Sequence, residues 1–547
     1  MTNYYLNAGD SYSVSIANTG ASWQTVYGDD GTITLTAARA SIEGNGDAVT
    51  GSAGSSASFY ATSGLPELYD GSNGHVTLNN ALADITGASN VIYLEGAVNS
   101  AYLQGYTDML NIFATTPAGG WDSIYGSSAF IYVHSSQTNV FGDDIVECID
   151  DCSVGFYNST SSHCYADDSQ IDLVNSKIKL WGTGNTIFAT SGSSVQITAT
   201  SGWSLVTGSN VTLTLLGANV SIYGGSDSVS ASPGGSISLY DTQGHDDTLS
   251  AYGDKISLNN SQAMIDGLDD TIWLNGNSSL NLIGSKGNWE TIYATGDSVG
   301  ITAGSVSLVG GGDHVRMGTS DIAVSVYQTA GVADTFTGAY DLLTLTSAQA
   351  SISGIGTDDT IWEYAGSTLT IDGGGNGGWD SVYATGQTVD LATGANASVF
   401  GGNDTIALNG SSAASLYQTA GAADTVSGSG GFVTLTDAQA SVTGSHDATF
   451  FIGANDALTV SGQYETFHFA AALGLDTITG FDASDGLHLA TADWASFSAL
   501  QSSGDLTQVG ANTVLRLDAS DAITLTGVTA STLNAANFSF SKNPYAG

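Results

Sequence analysis

Positive charge is the scarcest property of this 547-residue chain. Its 8 Lys and Arg residues face 52 Asp and Glu residues, which gives a formal net charge of −44 at pH 7. A field of that sign repels nucleic acid, anionic polysaccharide and anionic membrane, so we expect no nucleic-acid partner. The same field attracts hard cations such as calcium. Acidity also keeps a large surface soluble, and composition alone leaves both explanations open.

Proline and long apolar runs are also scarce. The chain has 4 prolines against 71 glycines, which excludes a proline-rich linker or collagen and assigns the glycines to regular turns. No apolar run is long enough to span a bilayer, so we expect no membrane insertion. The stretch MTNYYLNAGDSYSVSI lacks the basic start and apolar stretch of a cleavable signal peptide. The protein is therefore expected either to stay in the cytosol or to carry its export address elsewhere.

Cysteine is confined to one short segment. Cys148, Cys152 and Cys164 are the only 3 cysteines, and His163 adjoins the last of them. Paired CxxC motifs, the usual sign of a structural zinc site, are absent. We predict a disulfide, local or intermolecular, that leaves one odd thiol, with a metal site as the alternative.

Recognisable catalytic motifs are missing as well. The eight histidines are scattered and no HExxH motif occurs. GDSVG, from Gly296 to Gly300, has the spacing of a nucleophile elbow, but a strand-like pattern follows it where a helix is required. No catalytic residues are therefore predicted. Carboxylates are so abundant that a polysaccharide-active enzyme on a β-helix stays open as a third hypothesis.

An aromatic phrase recurs at long intervals. GGWDSVYATG, from Gly377 to Gly386, is nearly repeated as GNWETIYATG, from Gly287 to Gly296. Related phrases place an aromatic residue at Trp23, Trp121, Trp203, Trp289, Trp379 and Tyr464, in steps of 98, 82, 86, 90 and 85 residues. The chain therefore carries about five superrepeats of about 85 to 98 residues.

Trp121, Trp289 and Trp379 are predicted to lie at one corner of successive superrepeats. Two explanations follow from that position. Either the rings fill a wide corner of the core or cap a turn, or they form a periodic row that stacks on sugar rings.

Shorter phrases recur within each superrepeat. ITLTAARASIEG from Ile33, ISLNNSQAMIDG from Ile256 and VTLTDAQASVTG from Val433 each read as strand, turn and strand closed by glycine. A coil of about 20 residues cannot bury its apolar side alone, but stacked coils can. The predicted fold is all-β: an elongated parallel β-solenoid of the β-helix or β-roll type, with a small C-terminal β-rich cap.

Acidic pairs beside glycine supply the metal candidates. Calcium takes several oxygen ligands, and neighbouring coils can share an ion between their acidic turns. Each pair alone is a weak signal, since a solvated turn has the same composition. The predicted calcium ligands are Asp246, Asp247, Asp269, Asp270, Asp358, Asp359, Asn403, Asp404 and Asp476.

The C-terminal part resembles a known family. GLDTITGFDASDGLHL, from Gly474 to Leu489, and DAITLTGVTASTLNAANFSF, from Asp521 to Phe540, are similar to the terminal region of type I secreted bacterial proteins. GGNDTI, from Gly401 to Ile406, resembles part of the repeats-in-toxin nonapeptide, although no intact tandem nonapeptides occur. The resemblance implies an uncleaved C-terminal export signal, transient contact with a type I secretion apparatus, and calcium near Asn403 and Asp404.

These observations predict two regions and one leading function. Residues 1–460 are assigned to the solenoid and residues 461–547 to a secretion or assembly domain. The leading hypothesis is a non-enzymatic protein, secreted or on the cell surface, that forms a calcium-assisted homopolymer as a filament, surface layer or biofilm matrix. The alternative is a secreted adhesin that binds cell-surface or matrix glycans through its periodic aromatics.

Overall fold

A computed structural model describes most of the chain. The described residues are 2–5, 13–60, 65–95, 98–104, 108–113, 121–126, 128–134, 137–149, 152–198, 202–240, 245–284, 289–318, 322–327, 331–338, 342–353, 359–372, 378–417, 421–469, 474–490 and 494–541. The chain forms a parallel β-solenoid of about 24 coils, which confirms the predicted fold class. It divides into two compact units, Met1–Asp270 and Thr271–Gly547.

Unit 1 contains strands β1 to β31. In chain order they are Asn3–Tyr5, Ser13–Ala17, Trp23–Tyr27, Thr32–Thr36, Arg39–Glu43, Ala48–Gly51, Ser56–Tyr60, Glu67–Gly71, His75–Asn79, Leu82–Thr86, Val91–Glu95, Ser100–Leu103, Met109–Phe113, Asp122–Tyr125, Phe130–His134, Gln137–Phe141, Ile145–Ile149, Ser153–Tyr157, Ser162–Tyr165, Gln170–Val174, Lys177–Trp181, Thr186–Ala189, Ser194–Thr198, Trp203–Gly208, Thr212–Leu216, Asn219–Tyr223, Ser228–Ser232, Ser236–Tyr240, Asp247–Tyr252, Lys255–Asn259 and Gln262–Leu268.

Unit 2 contains strands β32 to β59. In chain order they are Thr271–Asn275, Ser279–Gly284, Trp289–Thr295, Ser298–Gly311, His314–Met317, Ile322–Tyr327, Asp334–Thr337, Leu342–Thr346, Gln349–Ser353, Thr360–Glu363, Thr368–Asp372, Asp380–Thr385, Thr388–Leu391, Asn396–Gly402, Thr405–Leu408, Ala413–Tyr417, Asp424–Ser429, Phe432–Thr436, Gln439–Ser445, Ala448–Phe451, Ala457–Ser461, Thr466–Phe469, Leu475–Thr479, Gly486–Ala490, Leu506–Val509, Asn512–Arg516, Ala522–Thr526 and Phe538–Ser541. Helix α1 spans Phe497–Ser503, and two single 3₁₀ turns span Ala530–Thr532 and Ala535–Asn537.

Within each unit, successive strands alternate between two parallel sheets, sheet A and sheet B. Most strands pair with the strand two places further along the chain, so two strands complete one coil. Equivalent residues lie 16 positions apart in a short coil, as from Gly31 to Asp47, and 23 in a long one, as from Asn99 to Asp122. In unit 2 the long strand β35 belongs to sheet A in its first half and to sheet B in its second.

Alternation along each strand builds the core. In β4, Ile33 and Leu35 are fully buried whereas Thr32 and Thr36 are exposed. Ile33 pairs with Val49 on the next coil, so inward residues form continuous columns. Each fully buried aliphatic side chain contributes about 1.5–3 kcal/mol relative to an exposed one. A coil gains this stabilisation only when its neighbours cover it, which is the physical reason for the repetition.

The C-terminal end departs from the repeat. Parallel pairing continues past residue 461, because β52 pairs with β54 and β53 pairs with β55. After α1, strands β56 and β57 pair in antiparallel fashion, and β57 adds in the same way to β58. These last strands form the small β-rich cap that the sequence predicts. Across the described ranges, no helix has both the length and the apolar character needed to cross a membrane.

Candidate functional site: carboxylate columns at the corners

Each coil has two corners at which the chain passes from one sheet to the other. We call them the B-to-A corner, which leads into a sheet A strand, and the A-to-B corner, which leads into a sheet B strand. A buried backbone N–H at a bend has lost its sheet partner, and leaving it unpaired costs about 1–3 kcal/mol. Both corners meet this need with a buried polar side chain.

At the B-to-A corner of unit 2 these side chains form a column. The Asp404 N–H donates to Asp424 Oδ1 on the next coil (3.0 Å), and the Gln387 N–H on the preceding coil donates to Asp404 Oδ1 (2.9 Å). Two coils beyond Asp424, the Asp456 N–H donates to Asp476 Oδ1 (3.0 Å). Asp404 and Asp456 therefore each accept from the preceding coil, at Gln387 and Ala438, while their own backbone N–H donates to the next coil.

The A-to-B corner carries a second column of the same kind. The Gly431 N–H donates to Asp447 Oδ1 (2.9 Å), the Asp447 N–H to Glu465 Oε2 (3.0 Å), and the Glu465 N–H to Asp485 Oδ1 (3.0 Å). Unit 1 begins in the same way, with Asp47 accepting from Gly31 and Glu67 accepting from Asp47. Parallel strands lie about 4.8 Å apart, so successive carboxylates are close neighbours.

One stretch of unit 1 builds its corners without charge. Ser193 Oγ accepts from the Ser176 N–H (3.3 Å), and Ser176 Oγ accepts from the Ser159 N–H (3.1 Å). At the other corner Asn185 Oδ1 accepts from the Ser169 N–H (3.1 Å). The corner therefore requires an acceptor but not a carboxylate, and the charge elsewhere needs its own explanation.

In the carboxylate columns the second oxygen of many groups is shielded from water and accepts no hydrogen bond, as at Asp334, Asp404 and Asp476. Burial is the largest cause that raises their pKa values. The pKa of Asp334 rises to about 7, and that of Asp476 to about 8 with further contributions from Asp456 and Asp521. Glu67 and Glu465 rise to about 8 and about 7. Near neutral pH these four groups therefore stand between the protonated and the ionised state.

Glu363 is a buried carboxyl group that lies within a strand and not at a corner. It lies at an inward position of β41, paired with Leu345, and both of its carboxyl oxygens are buried without a hydrogen bond. Burial, reinforced by Asp404, raises its pKa to about 8. An ionised carboxylate at a leucine position is destabilising, so this group favours the protonated form.

The predicted calcium ligands divide according to this geometry. In the pairs that begin at 246, 269 and 403, the first residue is exposed and the second is buried. The buried residue accepts a hydrogen bond from a backbone N–H of the preceding coil: Asp247 from Asp227, Asp270 from Asp254, and Asp404 from Gln387. Asp359 is buried and its N–H donates to Asp380, whereas Asp358 lies outside the described residues. Asp476 is fully buried. Over the part of the chain that the structure describes, no three His, Cys, Asp or Glu side chains meet in a group able to hold a metal ion.

Backbone conformation explains two of these pairs, Asp269 with Asp270 and Asn403 with Asp404. Asp269 and Asn403 adopt φ values of 59° and 64°, in the left-handed region, directly before the buried acids Asp270 and Asp404. Asn, Asp and Gly tolerate that conformation best. In these two pairs the first residue makes the bend and the second turns inward as the acceptor.

Five of the six repeat aromatics share one position of the coil, at the start of a sheet B strand, whereas Trp23 begins β3 of sheet A. Trp203, Trp289 and Trp379 each stand at the beginning of a sheet B strand or just before it, and are 49%, 45% and 37% exposed. Trp121 and Tyr464 hold the same place before β14 and β53. The explanation that these rings fill the core is therefore wrong for the three exposed tryptophans.

A different set of rings forms stacks on the outer face of sheet B. Trp362, Tyr383, Phe400 and Tyr417 follow one another at centroid distances of 4.4, 4.8 and 4.7 Å. Such offset stacks add about 0.5–1.5 kcal/mol per pair beyond burial. Beside them lies a groove of about 400 Å³, lined by three of these rings and by Glu363, Tyr364 and Gln387.

The three cysteines converge in unit 1. Cys152 and Cys164 are buried, Cys148 is half-buried, and all three are free thiols. Cys148 hydrogen-bonds with both of the others, and the Cys152 thiol donates to the Val133 carbonyl (3.1 Å). The contact with Cys152 lowers the pKa of Cys148. The Cys164 thiol and burial raise it by more, so the net pKa lies above that of an ordinary thiol. Proximity agrees with the predicted local cluster, and the disulfide stays a prediction.

Sequence reasoning missed the inward-facing acids because a solvated turn and a buried corner share one composition. A usable signal exists in the following residues. Many inward acids precede Ser or Thr and then a branched apolar residue, as in Asp227-Ser-Val, Asp404-Thr-Ile and Asp476-Thr-Ile, so the alternation of the strand already includes them.

No protein-family model, no curated protein and no solved structure matches this chain.

Proposed function

We propose that the protein is a non-enzymatic, extracellular structural solenoid whose coils are consolidated by calcium or by protons. The observation that carries the proposal is the pair of carboxylate columns, in contrast to the uncharged corner around Ser176. Since a neutral acceptor suffices for the fold, closely spaced buried carboxylates make stability depend on whatever neutralises them.

The donor set is suited to calcium in kind. Carboxylate and carbonyl oxygens are the ligands that calcium prefers, and the second oxygens of Asp404, Asp447, Asp456 and Asp476 accept no hydrogen bond. Because no three acidic side chains in the described residues meet at one point, an ion would draw on the acids of neighbouring coils together with backbone carbonyl oxygens. Protonation is the competing way to neutralise the same columns.

Self-association is the second part of the proposal. Strand β56 is the last of its sheet and pairs with β57 on one side, which leaves an edge able to pair with another copy of the chain. Export by a type I apparatus rests on the resemblance of Gly474–Leu489 and Asp521–Phe540. It is tested by asking whether the chain without residues 461–547 still reaches the culture medium.

The deciding experiment measures denaturant unfolding and particle size together at pH 7.5, with calcium and with a chelator. We expect calcium to raise the unfolding midpoint and to produce assemblies visible by light scattering and electron microscopy. The test variant is the double substitution Asp404→Asn and Asp476→Asn, which keeps the acceptors and removes the charges. Its response to calcium should be smaller.

The matched control is Ser193→Ala in the uncharged corner. It should lower stability without altering the difference between calcium and chelator. Equal midpoints and monodisperse monomers under both conditions would contradict the proposal.

A second candidate, a glycan-binding adhesin, is favoured by the exposed tryptophans. Trp289 and Trp379 stand at the same corner five coils apart, about 24 Å at the spacing of parallel strands. Exposed indole rings stack on the apolar faces of sugars, and a regular interval suits a repeating polysaccharide. Binding on a glycan array should be lost on replacing both residues with alanine, while calcium-dependent assembly persists. Replacing the stacked Tyr383 instead is the control.

A further inference from the structure

The outer face of sheet A in unit 2 carries an unbroken column of small hydroxyl side chains. Strand pairing places these residues directly beside one another on seven consecutive coils and on strand β58 of the cap, with no shift of register. All of them are exposed or half-exposed. The column consists of Thr368, Thr388, Thr405, Thr425, Ser441, Thr459, Thr479 and Thr526.

A second column runs beside the first, two residues further along the strands from β42 to β52, and begins one coil earlier on β40. It contains Ser351, Thr370, Asp390, Ala407, Ser427, Thr443 and Ser461. Strand geometry sets the two repeats of this array at about 4.8 Å between coils and about 6.6 Å along a strand. We call the two columns together the hydroxyl face.

The fold does not require this uniformity. The corresponding sheet of unit 1 has a column with equally continuous pairing over strands β3 to β21, and its residues are chemically mixed. They are Trp23, Arg39, Ser56, His75, Val91, Met109, Phe130, Ile145, His163 and Lys179. A sheet that accepts Arg, Met and Phe at one position would tolerate them in unit 2 as well. The repetition of Thr is therefore a property of that surface and not of the strand.

The chemistry of the hydroxyl face limits its partner. In a chain of net charge −44, its two columns contain one charged residue, Asp390, whose carboxylate accepts from the Asn409 amide (2.7 Å). An ionic mineral surface calls for charged side chains, and a sugar surface calls for aromatic rings. The columns have neither. What they offer is a two-dimensional array of hydroxyl groups, continuous in the first column and interrupted at Asp390 and Ala407 in the second, with a methyl group beside the hydroxyl wherever the residue is Thr.

We propose that the hydroxyl face binds the surface of ice. Its two repeats are comparable to the distances between water oxygens in the ice lattice. Hydroxyl groups hydrogen-bond to lattice water, and methyl groups restrict the water next to them. One hydroxyl binds water weakly, but many at fixed positions on a rigid sheet act together at no further cost in ordering. The proposal is independent of calcium-driven assembly and of the exposed tryptophans.

The test measures incorporation of the full-length protein into slowly growing ice, together with ice recrystallisation, in calcium-containing buffer. We expect the wild type to enter the ice and to slow recrystallisation. The double substitution Thr405→Tyr and Thr425→Tyr places two large rings in the middle of the face and should abolish most of both effects. Circular dichroism and the unfolding midpoint verify that the variant is folded.

The matched control replaces His75 and Val91, which occupy the mixed column of unit 1, by tyrosine. It should enter ice as the wild type does. Exclusion of the wild type from ice would overturn the proposal, and so would equal incorporation of the Thr405→Tyr, Thr425→Tyr variant. Binding of the wild type to crystalline cellulose or chitin that disappears in this variant, without ice binding, would reassign the face to polysaccharide. If the wild type binds ice but does not assemble in calcium, only the proposed structural role is refuted.

Discussion

The corner around Ser176 and the corner around Asp404 solve one problem with different chemistry. Both supply an oxygen to a backbone N–H that the bend has removed from its sheet. Serine and asparagine do this at any pH, whereas the carboxylates do it at the expense of a buried negative charge. The hydrogen-bond geometry of the corner therefore does not require a charge in this fold. Where the acceptor is a carboxylate, as at Asp404, the stability of that region depends on pH and, as we propose, on bound cations.

The largest effect should come from pH. Carboxyl groups whose folded pKa is raised bind more protons when folded, so their contribution is most favourable below the unfolded pKa near 4 and falls as pH rises toward the folded value. For Asp334 and Asp476 that window extends to about 7 and about 8. Each such group lowers the free energy of unfolding by about 1.4 kcal/mol per pH unit within its window.

Hydrogen exchange can localise this effect. After correction for intrinsic rates, amides of residues 404–485 should open more readily at pH 8.5 than at pH 5, and those of residues 152–193 should change little. Uniform behaviour of the two regions would contradict the distinction between their corners.

Removal of an acceptor should have the next largest effect. At pH 5, Asp476→Ala leaves the buried Asp456 N–H without its partner and should lower the free energy of unfolding by about 2–3 kcal/mol. Ser193→Ala in the uncharged corner should cost about 1 kcal/mol, because the Ser176 N–H loses a longer and weaker bond. Denaturant titration of both variants gives the comparison, and a larger loss for Ser193→Ala would reverse the expected order.

A reciprocal exchange of charge should have effects of opposite sign in the two corners. At pH 8.5, Asp476→Asn removes a buried charge and should raise the free energy of unfolding by about 1 kcal/mol or more. Asn185→Asp introduces one and brings a carboxylate against the Ala166 carbonyl, to which the Asn185 amide now donates (2.6 Å), so it should destabilise by about 1–3 kcal/mol. Both shifts should nearly vanish at pH 5, and persistence there would show that packing and not charge is responsible.

The smallest effect is expected on the hydroxyl face. Thr405→Val keeps the β-branched shape and changes one exposed hydroxyl, so its free energy of unfolding should stay within about 0.5 kcal/mol of the wild type at pH 5 and at pH 8.5. Thermal unfolding at the two pH values measures this. A larger change would mean that this hydroxyl supports the fold, and it would weaken the case for a surface function.

Much of the architecture was predictable. The alternation in ITLTAARASIEG predicts strands, and the recurrence of GGWDSVYATG identifies one position of the coil. The candidate site was only partly predictable, because Asp269 and Asp270 read alike in sequence although one makes the bend and the other faces inward. The convergence of Cys148 with Cys152 and Cys164 also depends on how two neighbouring coils lie against each other.

Sequence by itself determined the parallel β-solenoid, since period-two alternation in short repeats leaves stacking as the way to bury the apolar side. Tertiary structure alone decided the columns. Coils here differ in length from 15 to 23 residues, so no fixed spacing in the chain shows that Thr388 lies beside Thr405 or that Asp456 donates to Asp476. Turns absorb the differences in length while backbone pairing keeps the strands in register, and that register is what brings distant residues together into one surface.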